Sequence, residues 1–260
     1  MNSRLFRPLL LLCFMVGLIW LIADTAVENY RWQWYRVWPY VGTWEDGTFT
    51  PGPLLTGLAL TLKIVAGAFV IALFSGAALA FMRLSPSPTA RLLAGAILGL
   101  IRNTPLLMQI FIVYFVLAPM LNIGADAAAA LSLGLFEGCY VAEIFRAGIV
   151  SLPRAQWEAA FSLGFGMPAT LRLVIIPQAL RRIIAPLSGQ IVSLIKDSSL
   201  VSAIAVADLT LRGREAIAES FLSFEIWLLV AGIYLGLTLI AGLPALWLEK
   251  HTNTSFRSKS

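Results

Sequence analysis

Residues Glu158 to Leu187 read EAAFSLGFGMPATLRLVIIPQALRRIIAPL, a polar, arginine-bearing interruption between two long apolar runs. Its local chemistry predicts two short helices meeting at a turn. Just upstream, Ser151-Leu152-Pro153 supplies a capping hydroxyl and an early proline, both suited to a helix start. Gly164 and Gly166 stop that helix, and Pro168 opens the next. Trp157 and Phe161 lie four apart and so share a helix face, while Ala159, Ala160 and Gly164 are small enough to let a partner backbone come near. An elbow of this kind transmits force if its apolar face docks into a cleft on another protein. Taken alone, the same residues also fit a membrane-surface hairpin that merely joins two spans.

The rest of the chain says where such an elbow sits. Hydrophobic residues make up 59% of the 260 and charged residues 13%, against about 25% charged in soluble domains. A soluble fold of this length could not cover so much apolar surface. The apolar runs are long and continuous rather than alternating, so the expected class is an all-α polytopic membrane protein and not a barrel. Cys13 and Cys139 both fall in apolar runs, which suggests neither a disulfide framework nor a thiolate metal site. The net charge of +5 needs no nucleic-acid partner, because basic residues in a membrane protein report orientation.

About six spans are expected, near Leu9–Ala23, Leu54–Met82, Leu92–Leu117, Ala127–Ile149, Ile184–Val206 and Phe224–Leu248. A cleavable signal peptide is the alternative reading of the first, which follows Arg4 and Arg7. Between the first two spans, Trp32, Trp34, Tyr35, Trp38, Tyr40 and Trp44 suit an interfacial aromatic belt, with a ligand-stacking platform as the alternative. In the second span Ala68, Ala72, Gly76 and Ala80 recur at spacing four, a small-residue stripe for close helix approach. The chain thus divides into an N-terminal span with its aromatic segment (1–53), a multi-span region (54–249) and a tail (250–260).

With the N-terminus placed in the cytoplasm, the inner side holds Arg4, Arg7, Arg83, Arg91, Arg146, Arg154, Arg172, Arg181, Arg182, Lys250, Arg257 and Lys259. The outer loops hold only Arg31, Arg36, Arg212 and Arg214. Twelve against four predicts both termini and the Glu158 loop on the cytoplasmic side.

Glu158-Ala159-Ala160, Gly164, the aliphatic pair Val174 and Ile176, and Pro177 follow the spacing EAA–G–I–LP. This pattern resembles the coupling loop of ABC importer permeases. The flank YVAEIFRAGIVSLPRAQWEAAFSLG is similar to the polar amino acid branch of that family, and so are Arg102-Asn103-Thr104-Pro105-Leu106-Leu107-Met108-Gln109 and Lys196-Asp197-Ser198-Ser199-Leu200. Asn103, Ala147 and Ala155 stand where glycine is usual, and Val174 and Ile176 vary the loop. The resemblance covers roughly residues 54–249, a five-span core to which the first span is an addition. It implies an ATPase-coupling set of Trp157, Glu158, Ala159, Ala160, Phe161 and Gly164. It also implies two ATP-binding subunits, a second permease subunit identical or homologous to this one, and a periplasmic amino-acid binding protein. No cofactor is expected in this chain, with ATP and Mg bound by the partner ATPases, and the expected location is the bacterial inner membrane.

Polar groups at membrane depth point to a path through the bilayer. A central charge costs about 2.5–3.5 kcal/mol on insertion scales, so unpaired ones are rarely idle. Lys196 and Asp197, followed by Ser198 and Ser199, lie past the middle of the fifth span. Adjacent positions diverge by about 100° on a helix, so both charges cannot face lipid; a structural ion pair or a local unwinding is the alternative to lining the path. Glu143 and Arg146 are three apart and can pair locally, with a ligand role for Glu143 as the other reading. Asn103 and Gln109 flank Pro105, whose missing amide frees a carbonyl for a zwitterionic ligand or a polar side chain. The expected substrate path is therefore Asn103, Gln109, Glu143, Lys196, Asp197, Ser198 and Ser199.

No G-x-x-x-x-G-K-[ST] phosphate loop occurs, and the single histidine, His251, lies in the tail. Both facts argue against an ATPase or an intramembrane hydrolase in this chain. The reading is a permease subunit, not an enzyme, of an ATP-driven importer for polar amino acids. An ion-coupled secondary transporter using Lys196 and Asp197 as a proton relay is the rival.

Overall fold

Close helix approach organises the molecule. The computed structural model describes residues 30–257 and the pair Val16–Gly17, with backbone only beyond Leu243. The first expected span lies, apart from that pair, outside the described residues. Helix α1 (Pro53–Leu84) packs along α4 (Ala125–Val150) as the most extensive helix pair of the fold. The stripe Ala68, Ala72 and Gly76 is buried in that seam. Across from it, a Cβ on Gly134 would sit 2.6 Å from the Ile71 Cβ and 2.8 Å from the Ala68 carbonyl oxygen. Only backbone without a side chain fits there, so small residues let dispersion act where lipid supplies no hydrophobic drive.

The third expected span takes a different form. It is two helices, α2 (Pro88–Arg102) and α3 (Leu106–Leu121), bent by 104° at Asn103-Thr104-Pro105. The near right angle follows from the missing proline amide and from Asn103, which caps α2 outside helical geometry. The Ser87 hydroxyl starts α2 by accepting from the Ala90 amide. One side of α2 buries Ala94 and Leu98; Leu92, Leu93, Ile97 and Leu100 are exposed on the other.

After the elbow helix α5 (Arg154–Ser162), the chain runs through α6 (Met167–Ile204). The sequence predicted a separate second elbow helix, but Met167 leads through a wide turn at Leu171–Ile175 directly into Ile176–Asp197. Helix α6 therefore starts earlier than the span placed from hydropathy and carries Arg181 and Arg182 within it. Its last turns tighten at Ser198–Ile204 and stop where Ala205 turns left-handed. The residues read as an outer loop instead form α7 (Leu209–Ser220), capped by the Asp208 side chain accepting from the Leu211 amide at 2.8 Å. Helix α8 (Ser223–Arg257) closes the bundle against α6. Among the described residues three helices, α1, α4 and α8, are long and apolar enough to cross a membrane, and counting each bent pair as one span gives up to five.

The aromatic segment folds onto the α7–α8 end. Strands β1 (Gly42–Glu45) and β2 (Thr48–Pro51) form a hairpin that pairs Trp44 with Phe49. Asp46 and Gly47, both at positive φ, make its two-residue turn. Glu225 of α8 anchors the segment, accepting from the Tyr30 hydroxyl at 2.7 Å and the Gln33 amide at 2.8 Å. Tyr35, Trp38 and Trp44 remain exposed, as an interfacial belt requires.

Candidate functional site

The elbow is built by local backbone chemistry and then tied down. Pro153 occupies the position before α5, and the Ser151 hydroxyl donates back to the Gly148 carbonyl instead of capping α5 as expected. At the other end the Gly164 amide donates to the Phe161 carbonyl at 2.9 Å and the Phe165 amide to the Ala160 carbonyl at 3.1 Å. This is the paired bonding of a Schellman stop, and it needs the left-handed φ of +81° that Gly164 adopts. A Cβ on Gly164 would meet nothing within 4 Å, so backbone conformation, not crowding inside this chain, selects glycine.

Helix α6 is tied to the turn just before α5 and to α5 itself. Arg182 donates to the Ser151 carbonyl at 2.7 Å, and Gln178 donates to the Gln156 side chain at 3.1 Å. Trp157 packs on the cluster of Leu152, Ile175, Ala179 and Ile183, and Ala160 is buried beside α6. Trp157 and Phe161 therefore do not act as one face: Trp157 turns inward, while Phe161 is 44% exposed. Glu158, Ala159, Phe161 and Gly164 lie on the outer surface, joined by Leu163 at 75% exposure. Glu158 makes no ion pair among the described residues. The result is an elbow packed on α6 with an open outer face.

The polar residues inside the bundle fall into separate groups. Asn103 and Glu143 line one cavity of about 400 Å³ with Arg83, Arg102 and Tyr140. Glu143 accepts from Arg146 at 2.9 Å and lies 3.8 Å from Arg83, so its local pairing occurs together with its place in the cavity. The Asn103 amide nitrogen donates to the Gly99 carbonyl at 2.8 Å, which leaves its oxygen free. Gln109 does not line this cavity. Its amide nitrogen donates to the Ile101 carbonyl at 2.7 Å and to the Thr104 hydroxyl at 2.7 Å, serving the carbonyl that Pro105 leaves unpaired.

The fifth-span group separates as well. Lys196 is exposed, Asp197 is half-buried, and the two form no ion pair among the described residues. The Ser198 hydroxyl is buried and donates to the Ile195 carbonyl, while the Ser199 hydroxyl donates to the Lys196 carbonyl. Glu137 of α4 is 2% exposed and was absent from the expected set. A lone carboxylate in the apolar run LSLGLFEGCYV was the signal that could have found it.

The fold defines a class, a multi-pass helical membrane permease, here with an exposed elbow between two of its helices. Residues 68–254 match the family described as the binding-protein-dependent transport system inner membrane component. The chain is 36% identical over 228 residues to the glutamine transport system permease protein GlnP of Escherichia coli K12, covering 85% of this chain and 97% of that one. It is 38% identical over 166 residues to the L-cystine transport system permease protein TcyB of Bacillus subtilis, covering 63% and 70% respectively. Among solved structures, an amino acid ABC transporter with histidines superposes with a TM-score of 0.70 at 33% identity, covering 76% of this chain and 94% of that one. The MetNI methionine ABC transporter shares the fold, with a TM-score of 0.65 at 17% identity over 76% and 95% of the two chains. The chain belongs to the amino acid ABC importer permeases. It is a transport subunit rather than an enzyme, it crosses the inner membrane several times, and its family works with an ATPase and a binding protein. That membership decides against the self-contained ion-coupled carrier.

Proposed function

We propose that this permease carries polar amino acids inward, driven by two ATP-binding subunits that dock on the outer face of α5 and hold the ATP and Mg. A second permease, a copy of this chain or a homologue, completes the path, and a periplasmic binding protein delivers substrate to the end that bears α7 and the aromatic hairpin. Both termini then lie in the cytoplasm, residues 54–249 form the permease domain and 1–53 an added span with its belt. The carrying observation is the open face of Glu158, Ala159, Phe161 and Gly164 on an elbow held to α6 by Gln178, which bonds Gln156 within α5, and by Arg182, which bonds Ser151 in the turn before it. Force applied to that face passes into α6 without first deforming a loop, and α6 carries Lys196, Asp197, Ser198 and Ser199 at membrane depth.

The same reading makes Asn103 and Glu143, in their shared cavity, and the Lys196–Ser199 turn the polar stations of the path, with Gln109 holding the break between α2 and α3. The relatives whose printed names mention glutamine and cystine support amino acids as the substrate class. The test is Gly164→Asp in the complex reconstituted in proteoliposomes. Uptake and substrate-stimulated ATP hydrolysis should fall together while the chain still inserts, because an added side chain and charge enter the docking face. Normal stimulation in that variant rejects the docking site.

A further inference from the structure

Two cavities run together where α1 and α4 end and the elbow begins. The deeper one, about 170 Å³, lies between α1, α4 and α6, and every side chain that lines it is apolar, Ala77, Phe81, Phe145 and Leu180 among them. The second, about 450 Å³, lies against the elbow and adds Ser85, Pro86, Arg154 and Trp157 to its aliphatic lining. Phe81, Leu84, Ile149 and Ile176 line both, so the two form one groove. Its chemistry changes along its length. Phe81 is 61% and Leu180 48% exposed, so the apolar slot opens between α1 and α6 to the surroundings of the bundle. A wholly apolar slot has no hydrogen bonds to offer water and suits hydrocarbon. At the elbow end Arg154 is exposed and forms no ion pair among the described residues. Arg91 reaches the same mouth, donating to the Ser85 and Pro86 carbonyls at 3.1 Å each. No acidic residue lines either cavity. An apolar slot that ends at a basic mouth beside an indole ring complements an acyl chain that ends at a negative headgroup. An apolar helix of another protein would fill the slot and leave Arg154 without an anion.

We propose that this groove binds one anionic phospholipid of the cytoplasmic leaflet, with an acyl chain in the apolar slot and the headgroup phosphate at Arg154. The inference rests on the transport reading above for its orientation, with the elbow on the cytoplasmic side, and adds a lipid partner to it. One wall of the groove belongs to α1 and α4, and the other to α6 and the elbow. The bound lipid therefore packs between the α1–α4 seam and Trp157, and it supports the elbow from the side opposite its open face.

Photolabelling of the assembled permease–ATPase complex in proteoliposomes tests this. Two probes carry the same diazirine-bearing acyl chain, one on phosphatidylglycerol and one on phosphatidylcholine, and mass spectrometry maps the labelled segments. Phosphatidylglycerol should label residues 77–84 and 176–183 about fivefold more than phosphatidylcholine, the preference that one basic residue gives an anionic lipid. Arg154→Gln should bring the two probes near equality. Arg172→Gln, at an exposed position outside the lining, should leave the ratio unchanged. Ala77→Phe, which fills the slot, should cut labelling of both segments by either probe, and Leu180→Trp applies the same test if that variant does not assemble. Equal labelling by the two probes in the wild type, or an unchanged ratio in Arg154→Gln, overturns the proposal. Cross-linking of these segments to a second permease in place of lipid overturns it as well. Uptake by the same proteoliposomes separates the two readings. Normal uptake with equal labelling removes this inference alone, whereas preferential labelling without any uptake keeps the lipid and removes the transport reading.

Discussion

The side-chain amide of Gln109 donates to the main-chain carbonyl of Ile101 at 2.7 Å, across the break that Pro105 imposes between α2 and α3. Pro105 has no amide to offer four residues back, so Ile101 would otherwise keep only two long bonds from Thr104, 3.4 Å from its amide and 3.3 Å from its hydroxyl. The same Gln109 nitrogen reaches the Thr104 hydroxyl, which fixes the 104° turn from both sides.

Replacing Gln109 with Leu leaves that carbonyl only the long Thr104 bonds, and losing a well-made hydrogen bond costs about 0.5–1.5 kcal/mol. The expected outcome is a lower unfolding midpoint for the purified complex, while Gln109→Asn falls between Leu and wild type. An unchanged midpoint for Gln109→Leu would mean that water or the Thr104 amide suffices.

Lys196 offers a clean separation of assembly from transport. It is exposed and makes no ion pair with Asp197 among the described residues, so Lys196→Ala leaves no buried partner stranded. Complex yield should match wild type while uptake per complex falls. Poor yield with normal uptake per complex would refute a place for Lys196 on the path.

Asn103 and Glu143 share one cavity, so Asn103→Leu and Glu143→Gln should both alter preference among glutamate, glutamine and basic amino acids. Glu143→Gln also removes the anion facing Arg83 and Arg146, and the cavity then becomes more positive and favours glutamate. Direct ligand binding to the permease complex is the measurement, because a periplasmic binder screens substrate first. Unchanged preference in both variants places the ligand elsewhere.

The Tyr30–Glu225 bond predicts a pH limit for the aromatic segment. The hydrogen bond to Glu225, helped by desolvation and the nearby negative charge, raises the Tyr30 hydroxyl above the ordinary tyrosine range. A raised folded-state value favours the protonated form, so this strut is fully present below the ordinary tyrosine range and weakens as pH rises through the raised one. Tyr30→Phe should loosen the segment at neutral pH, seen as faster proteolysis near Gln33 and altered tryptophan emission. Equal protease resistance in wild type and Tyr30→Phe at neutral pH would assign the anchoring to the Gln33–Glu225 bond instead.

Composition and local punctuation made the membrane class, the elbow and its glycine stop readable from sequence, because hydropathy, proline and a required left-handed φ at Gly164 act within a few residues. The small-residue stripe of α1 was equally legible, since spacing four fixes a helix face whatever lies opposite. The helical spacing of Trp157 and Phe161 was legible too, but which of the two turns toward α6 was not. The bend at Pro105 was readable as a break, while its 104° angle and the use of Gln109 to close it were not. Glu137 is buried at mid-helix only because the α1–α4 seam and the α4–α6 contact set the rotation and depth of three helices at once. A side chain's partner across a bundle depends on that joint packing, which no local stretch of sequence encodes.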